Sequence, residues 1–219
     1  MDKNHQGPIG TPARGAARRL LIGATALLVA ALLLPLWSTR MEAPQYQGPE
    51  ALEIHVYAGR VLGDIREIEL LNQYVGVHLP LDTPELKATP WVLGSLVALA
   101  LASVLAPVEA RSRLAALLLF LMLAVVLGGS ALLQYRLYQM GHDRSPSIMA
   151  GVPDFTPPLL GSRKIANFTA FMSLGGGSWA YAGAIFLTVW AIVKLKFQPL
   201  MKFRHESNPG SGSRVRSQS

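Results

Sequence analysis

Four long apolar runs constrain the fold of this chain more than any other feature. They lie within residues 18–38, 91–108, 114–134 and 175–195. Each is close to the roughly 20 residues that an α-helix needs to cross a hydrocarbon core about 30 Å thick. Only 15% of the 219 residues are charged, whereas a soluble domain carries about 25%. The sequence therefore predicts an all-α membrane protein with four transmembrane helices and the lipid bilayer as a partner.

The distribution of Lys and Arg predicts how these helices are oriented. Twelve of the 20 basic residues lie in or beside the tails, 1–17 and 196–219, and the short link 109–113. The other eight lie in the two longer connections, 39–90 and 135–174. Because positive charge is enriched in short cytoplasmic segments next to membrane spans, we expect cytoplasmic termini and periplasmic connections. This arrangement predicts a multi-pass protein of the bacterial inner membrane.

The two tails are rich in Gly, Pro and Ser and poor in apolar residues, which predicts that both are disordered. The first apolar run has a rival interpretation as a signal peptide, because Arg14, Arg18 and Arg19 precede it. The run is long, however, and no small-x-small cleavage site follows it. We therefore expect an uncleaved anchor.

Small residues recur at the start of the fourth run. Gly176, Ala180 and Ala184 are spaced four residues apart and so lie on one side of a helix. Helices in lipid associate through close packing, which small residues allow. The spacing predicts that another helix approaches this face closely.

The first long connection, 39–90, has patterns typical of regular structure. Leu52–Tyr57 alternates between apolar and polar residues, as a half-buried strand does. A short helix is then expected, with Asp64 as its N-cap, Glu67 completing a capping box and Gly76 at its end. We predict a small extracytoplasmic strand-plus-helix element that packs on the membrane helices or on a partner, because it is too small to form a core alone.

The second long connection, 135–174, is expected to be irregular. Pro146, Pro153, Pro157 and Pro158 interrupt it, and it has little periodicity. Its apolar content is high for a solvated loop, which indicates cover by lipid headgroups, by the first connection or by another protein.

The spans give little sign of catalysis or transport. Between their flanking basic residues they carry no charge and no histidine, although intramembrane charges mark most ion and proton pathways. The chain has no cysteine, which excludes disulfides and thiolate metal sites. No nucleophile elbow, phosphate-binding loop or zinc-protease motif occurs, so we predict no catalytic residues and no enzyme. The basic residues flank apolar runs and do not form a stripe with aromatics, so no nucleic-acid partner is predicted.

Metal binding is an alternative hypothesis for the periplasmic connections. Imidazole and thioether groups together form a ligand set that suits copper. The candidate ligands are His55, His78, Met140 and His142. Their spacing matches no compact motif, and structural or solvated roles are the more common ones for such residues. We therefore predict no cofactor and keep copper as the metal that these residues would suit.

Three segments resemble a family of small four-helix bacterial membrane proteins. They are Glu42-Ala43-Pro44-Gln45-Tyr46, Leu71-Asn72-Gln73-Tyr74-Val75-Gly76, and Thr156-Pro157-Pro158-Leu159-Leu160-Gly161 followed by Asn167-Phe168. The resemblance covers the chain from the first run onward. Family members are commonly encoded near nitrous oxide reductase or other copper respiratory genes, which implies an accessory role in such a system. Members often have His in place of Gln73 and Met in place of Val77, so two potential metal ligands are missing from this chain.

We therefore expect a non-enzymatic accessory or assembly protein that presents its periplasmic connections to a respiratory, copper-containing enzyme system. A membrane or periplasmic protein is the expected partner. The expected partner-binding residues are Glu42, Pro44, Gln45, Tyr46, Asn72, Gln73, Tyr74, Gly76, Pro157, Pro158, Gly161, Asn167 and Phe168. Two alternatives stay open, namely a membrane redox or quinone-interacting subunit and a copper-handling membrane protein.

Overall fold

The computed structural model describes residues 11–42, 46, 48–75, 83–142, 156–165 and 168–206. Five helices and five strands make up most of these residues. In chain order they are α1 (Thr11–Leu33), β1 (Trp37–Glu42), β2 (Leu52–Tyr57), β3 (Arg60–Gly63), α2 (Ile65–Val75), α3 (Pro84–Leu105), α4 (Val108–His142), β4 (Gly161–Ile165), β5 (Phe168–Leu174) and α5 (Gly176–Glu206).

Four of the helices are long and apolar enough to cross a membrane, which confirms that part of the prediction. The candidate spans are Gly15–Leu33, Pro84–Leu105, Val108–Gln139 and Gly176–Lys196. Large apolar side chains cover their outer surfaces: Trp91 is 81% exposed and Leu127 is 72% exposed. Surfaces of this kind are stable in lipid and costly in water.

The helices extend beyond the predicted boundaries. Helix α1 begins at Thr11, inside the tail predicted to be disordered, and α5 continues to Glu206. Helix α4 begins at Val108 and contains all of the predicted link 109–113. The turn between α3 and α4 is therefore shorter than expected, at Ala106 and Pro107.

A five-stranded antiparallel sheet corrects the predicted all-α class. Its strand order is β3-β2-β1-β5-β4. The structure confirms β2 at Leu52–Tyr57 and the helix α2 that follows. The sequence did not predict β1, and β4 and β5 lie in the connection expected to be irregular. The strand-plus-helix prediction was therefore too small.

The register gives the sheet two different faces. Thr39 pairs with Ile54 and Met172, whereas the next residue back, Ser38, pairs with His55 and Ser173. Because side chains alternate along a strand, these two rows lie on opposite faces. The covered face includes Trp37, Thr39, Met41, Leu52, Ile54, Val56, Ala170 and Met172, and the open face includes Ser38, Arg40, Glu42, Glu53, His55, Phe171 and Ser173.

Helix α2 packs over the covered face. Ile68 is 2% exposed and forms a cluster with Leu52 and Ile54. Burying each such side chain stabilises the fold by about 1.5–3 kcal/mol. Asp64 directly precedes α2, and its carbonyl oxygen accepts a hydrogen bond from the Ile68 N–H at 3.1 Å, as expected of an N-cap residue. Its Oδ2 accepts a hydrogen bond from the Glu53 backbone N–H at 2.9 Å. It therefore joins the start of α2 to strand β2.

Helices α1 and α5 pack side by side. Helix α1 is followed by β1, and α5 is preceded by β5, the strand that pairs with β1. Ala184 is fully buried in a cluster that includes residues of α1, as expected, whereas Gly176 is exposed and the close contact at the start of α5 is made by Gly177. At the junction the Gly175 N–H donates to the Leu36 carbonyl oxygen at 3.0 Å, and the Gly177 N–H donates to the Pro35 carbonyl oxygen at 2.8 Å. A Cβ on Gly175 would overlap the backbone of Pro35. The sheet thus stands on α1 and α5 through a tightly packed junction.

Helices α3 and α4 form a hairpin with a polar clamp at its turn. Arg111 is 9% exposed, and its guanidinium donates to the carbonyl oxygens of Ser103 at 3.3 Å, Val104 at 3.4 Å and Ala106 at 2.8 Å. The last carbonyls of a helix lack partners within the helix, and a cation there also suits the helix dipole. Arg111 therefore caps α3 from the first turn of α4.

Candidate functional site

The open face of the sheet carries a row of polar side chains that contact one another. Antiparallel pairing places Ser38 opposite His55 and Arg40 opposite Glu53. Ser38 Oγ lies 2.9 Å from His55 Nδ1, and His55 Nε2 lies 3.4 Å from Glu53 Oε2. Strand pairing alone therefore brings a hydroxyl, an imidazole and a carboxylate into one row.

The two ring nitrogens of His55 have different contacts. Nδ1 lies within hydrogen-bonding distance of the Ser38 hydroxyl, and the tautomer of the ring decides which of the two donates. The contact of Nε2 with Glu53 is an ion pair when the ring is protonated.

Arg40 extends this row toward the end of β1. Its Nε lies 3.3 Å from Glu42 Oε1, its Nη1 lies 3.7 Å from Glu53 Oε1, and its Nη2 donates to the Gly48 carbonyl oxygen. The Arg40, Glu42 and Glu53 side chains are 36–45% exposed. Exposed ion pairs of this kind contribute about 0–1 kcal/mol each to stability. The row therefore adds little to the stability of the fold.

A hydroxyl next to an imidazole and a carboxylate also resembles a nucleophilic site. Such a site needs a base held by a third group and donors aimed at the developing oxyanion. Here Glu53 is shared between His55 and Arg40, and the His55 side chain is 35% exposed. These observations favour a surface that recognises a partner over a site for catalysis.

Two of the predicted partner-binding residues, Tyr46 and Pro157, are packed into the fold. Tyr46 packs against the cluster of Leu52, Ile54 and Ile68. Pro157 is fully buried, and the neighbouring Leu159 carbonyl oxygen accepts a hydrogen bond at 2.8 Å from the Trp37 indole N–H.

The other predicted partner-binding residues are spread over several elements. Glu42 ends β1, and Asn72, Gln73 and Tyr74 lie in the last turns of α2. Pro158 is half-buried, Gly161 begins β4 with a φ of 106°, and Phe168 begins β5. Pro44, Gln45, Gly76 and Asn167 lie outside the described residues. Of this set, the structure places Glu42 on the open face.

The candidate metal ligands do not form a cluster in the described part of the chain. There, no group of three or more His, Asp or Glu side chains is arranged to hold a metal ion. His55 lies in the row on the open face, and His142 stacks on Tyr138 at the end of α4 with ring centroids 3.9 Å apart. Met140 lies in α4, and His78 is outside the described residues.

Sequence reasoning missed a polar network where α3 begins and α4 ends. Arg136 Nη2 donates to Glu85 Oε1 at 2.5 Å, and Arg136 Nη1 donates to Gln139 Oε1 at 3.1 Å. Gln139 Nε2 in turn donates to the Tyr135 hydroxyl at 3.1 Å. The signal in the sequence was the change from apolar residues to Tyr135-Arg136-Leu137-Tyr138-Gln139 at the end of the third run.

No protein-family model matches the chain, and no curated protein matches it. The resemblance to the family of small bacterial membrane proteins therefore stays a prediction, and function must be argued from the geometry.

Proposed function

We propose that this chain is a non-enzymatic accessory or assembly protein of the bacterial inner membrane. In this proposal it holds its sheet on the periplasmic side, where the open face meets a respiratory, copper-containing enzyme or the proteins that mature it. The observation that carries the proposal is a sheet joined directly to two candidate spans, with its polar face exposed.

The junction between the helices and the sheet supports a positioning role. Strand β1 follows α1 after three residues, and β5 precedes α5 with Gly175 between them. The Ser178 hydroxyl donates to the Leu36 carbonyl oxygen at 2.6 Å, so α5 is also bonded to the start of β1. Interfaces are most specific when their elements are held by a rigid scaffold, and this junction provides one.

The charge pattern of the open face supports recognition of a protein partner. Arg40 lies between Glu42 and Glu53, so positive and negative groups alternate over a short distance. Complementary charges on a partner would fix its register and speed its association. A surface with both signs favours a folded protein over a uniformly charged polymer.

The basic residues support a periplasmic location for the sheet. Arg18 and Arg19 are exposed near the start of α1, and Arg113 and Lys194 are exposed near the start of α4 and toward the end of α5. In α1 and α5 these basic residues lie toward the end away from the sheet. In α4, Arg113 lies toward the end away from the start of α3. The positive-inside rule then places the sheet in the periplasm.

A deletion and complementation experiment tests the proposal. The gene is deleted in its own bacterium, and the activity and copper content of its periplasmic respiratory enzymes are measured. We expect both to fall and to return with the wild-type gene. The paired substitution Arg40→Glu with Glu53→Arg preserves the ion pair but inverts the charge order, and we expect it to restore less than about a tenth of the activity.

Arg66→Glu is the matched control, because Arg66 is an exposed residue of α2 that lies off the open face. It should complement fully. Full complementation by the charge-inverted pair at normal protein level would refute the open face as the partner surface. Unchanged enzyme activity and copper content in the deletion strain would refute the accessory role itself.

A further inference from the structure

The outer end of α4 has a second organised surface that the accessory role does not use. Tyr135 is 55% exposed and Tyr138 is 49% exposed, and His142 stacks on Tyr138. These three residues follow one another at spacings of three and four, so they lie in one stripe on the helix. Leu137, on the opposite side, is 5% exposed.

This stripe lies at the depth of a membrane boundary. Arg113, at the basic end of α4, and Tyr135 are 22 residues apart, which corresponds to about 33 Å along a helix. A hydrocarbon core is about 30 Å thick. Tyr135 therefore lies where the apolar core meets the headgroups, and His142, 29 residues or about 44 Å from Arg113, lies among the headgroups.

The chemistry beside the stripe is polar but balanced in charge. The Arg136 guanidinium is paired with the Glu85 carboxylate, and its other terminal nitrogen donates to Gln139. A site for a phosphate would present a cation without such a partner. The local network thus suits an uncharged polar group better than an anionic lipid headgroup.

His142 offers an acceptor to such a group. Its Nδ1 lies 2.9 Å from the Tyr138 carbonyl oxygen, which can only accept. Nδ1 therefore carries the proton, and in the neutral ring Nε2 has the lone pair. The Tyr138 hydroxyl supplies a donor on the same stripe.

We propose that Tyr135, Tyr138 and His142 bind the head of an isoprenoid quinol dissolved in the membrane. The head lies at the edge of the Tyr138–His142 stack, where one ring hydroxyl donates to His142 Nε2 and the other ring oxygen accepts from the Tyr138 hydroxyl. The apolar tail runs down the same exposed side of α4 past Ala131 and Gly128. A Cβ placed on Gly128 would have no other atom within 4 Å, so the tail has room there.

Photolabelling of the full chain tests this proposal. The protein is reconstituted in phosphatidylcholine nanodiscs, labelled under argon with the reduced, quinol form of a short-tailed photoreactive quinone and digested for mass spectrometry. We expect the label on residues 131–142 and its loss with excess reduced decylubiquinone. His142→Leu and Tyr138→Phe should each reduce labelling about tenfold, since each removes one hydrogen bond to the quinol.

Phe186→Leu with Trp190→Leu is the matched control, because these rings are exposed and stacked on α5 but lie outside the polar network. The control should label like the wild type. Tyr138→Phe retains the ring, so it tests the hydroxyl even if His142→Leu does not fold. Three outcomes would overturn the proposal: labelling that both variants leave unchanged, competition by phosphatidylglycerol in place of decylubiquinone, or protection of the stripe by a second copy of the chain.

Discussion

The helix pair α1 and α5 and the hairpin of α3 and α4 are both long and apolar enough to cross a bilayer, but they are held in different ways. In the most apolar 18-residue stretch of α1, 33% of the residues are buried, whereas in that of α4 the buried share is 11%. The pair is joined by close backbone packing at Gly175 and Gly177. The hairpin is joined by polar groups near its two ends, Arg111 and the Glu85–Arg136 pair.

The two regions therefore have different mechanical roles. Glycine packing leaves almost no freedom, so movement of α1 or α5 must be transmitted to the sheet. Polar contacts at the ends of a hairpin allow its middle to face lipid. We therefore expect substitutions at the junction to affect the sheet strongly and substitutions at the exposed positions of α4 to be tolerated.

The largest expected effect is at the junction. Gly175→Ala places a Cβ into the Pro35 backbone and should lower the free energy of unfolding in mixed micelles by about 3 kcal/mol. Gly94→Ala is the control, since a Cβ there meets nothing within 4 Å, and it should change stability by less than about 1 kcal/mol. Equal effects at the two positions would contradict the tight junction.

The next effect concerns the clamp of the hairpin. Arg111→Met removes three hydrogen bonds to the end of α3 and should lower the free energy of unfolding by about 2 kcal/mol. Arg113→Met, at an exposed position two residues on, should have almost no effect. If both substitutions cost the same, Arg111 acts through its charge alone and the cap is not needed.

A smaller effect is expected at the other end of the hairpin. The Glu85 and Arg136 side chains are about one-third exposed, so solvent screens their attraction. A double-mutant cycle with Glu85→Gln and Arg136→Met should give a favourable coupling in unfolding experiments that is smaller than the loss caused by Arg111→Met. A coupling near zero would mean that this end of the hairpin is held by apolar packing.

The smallest changes in the free energy of unfolding are expected from substitutions on the two faces of the sheet, and they should have opposite signs. The Thr39 hydroxyl lies on the covered face and has no hydrogen-bond partner among the described residues, so Thr39→Val should raise the free energy of unfolding by about 0.5 kcal/mol. Ser38→Ala on the open face should lower it by less than about 0.5 kcal/mol. Thermal unfolding of the two variants side by side checks the opposite signs.

The sequence predicted the parts of the fold that local patterns determine. Four apolar runs indicated four long helices, and the alternation from Leu52 to Tyr57 matched β2 residue for residue. Strands β1 and β5 were missed because their stability depends on each other across more than a hundred residues, and neither has a strong pattern of its own. Arg111 looked like part of a loop, since a charge beside a span indicates a boundary unless its carbonyl partners are known.

The candidate site was less predictable than the fold. His55 was identified by residue type, but its partners Ser38 and Glu53 follow from strand register, which the sequence did not provide. The expected partner-binding residues were chosen from a resemblance, and one of them, Tyr46, packs against the cluster on the covered face. Tyr135 and Tyr138 were within a stretch taken for irregular chain, although they continue a helix.

The strand order also has a consequence for biogenesis. Strand β1 leaves the ribosome well before β5, and β5 is joined to the last membrane helix. During that interval β1 can pair with β2, but its other edge is open. Unpaired edges invite pairing with other chains, so nascent molecules depend on prompt insertion of the final helix to escape aggregation.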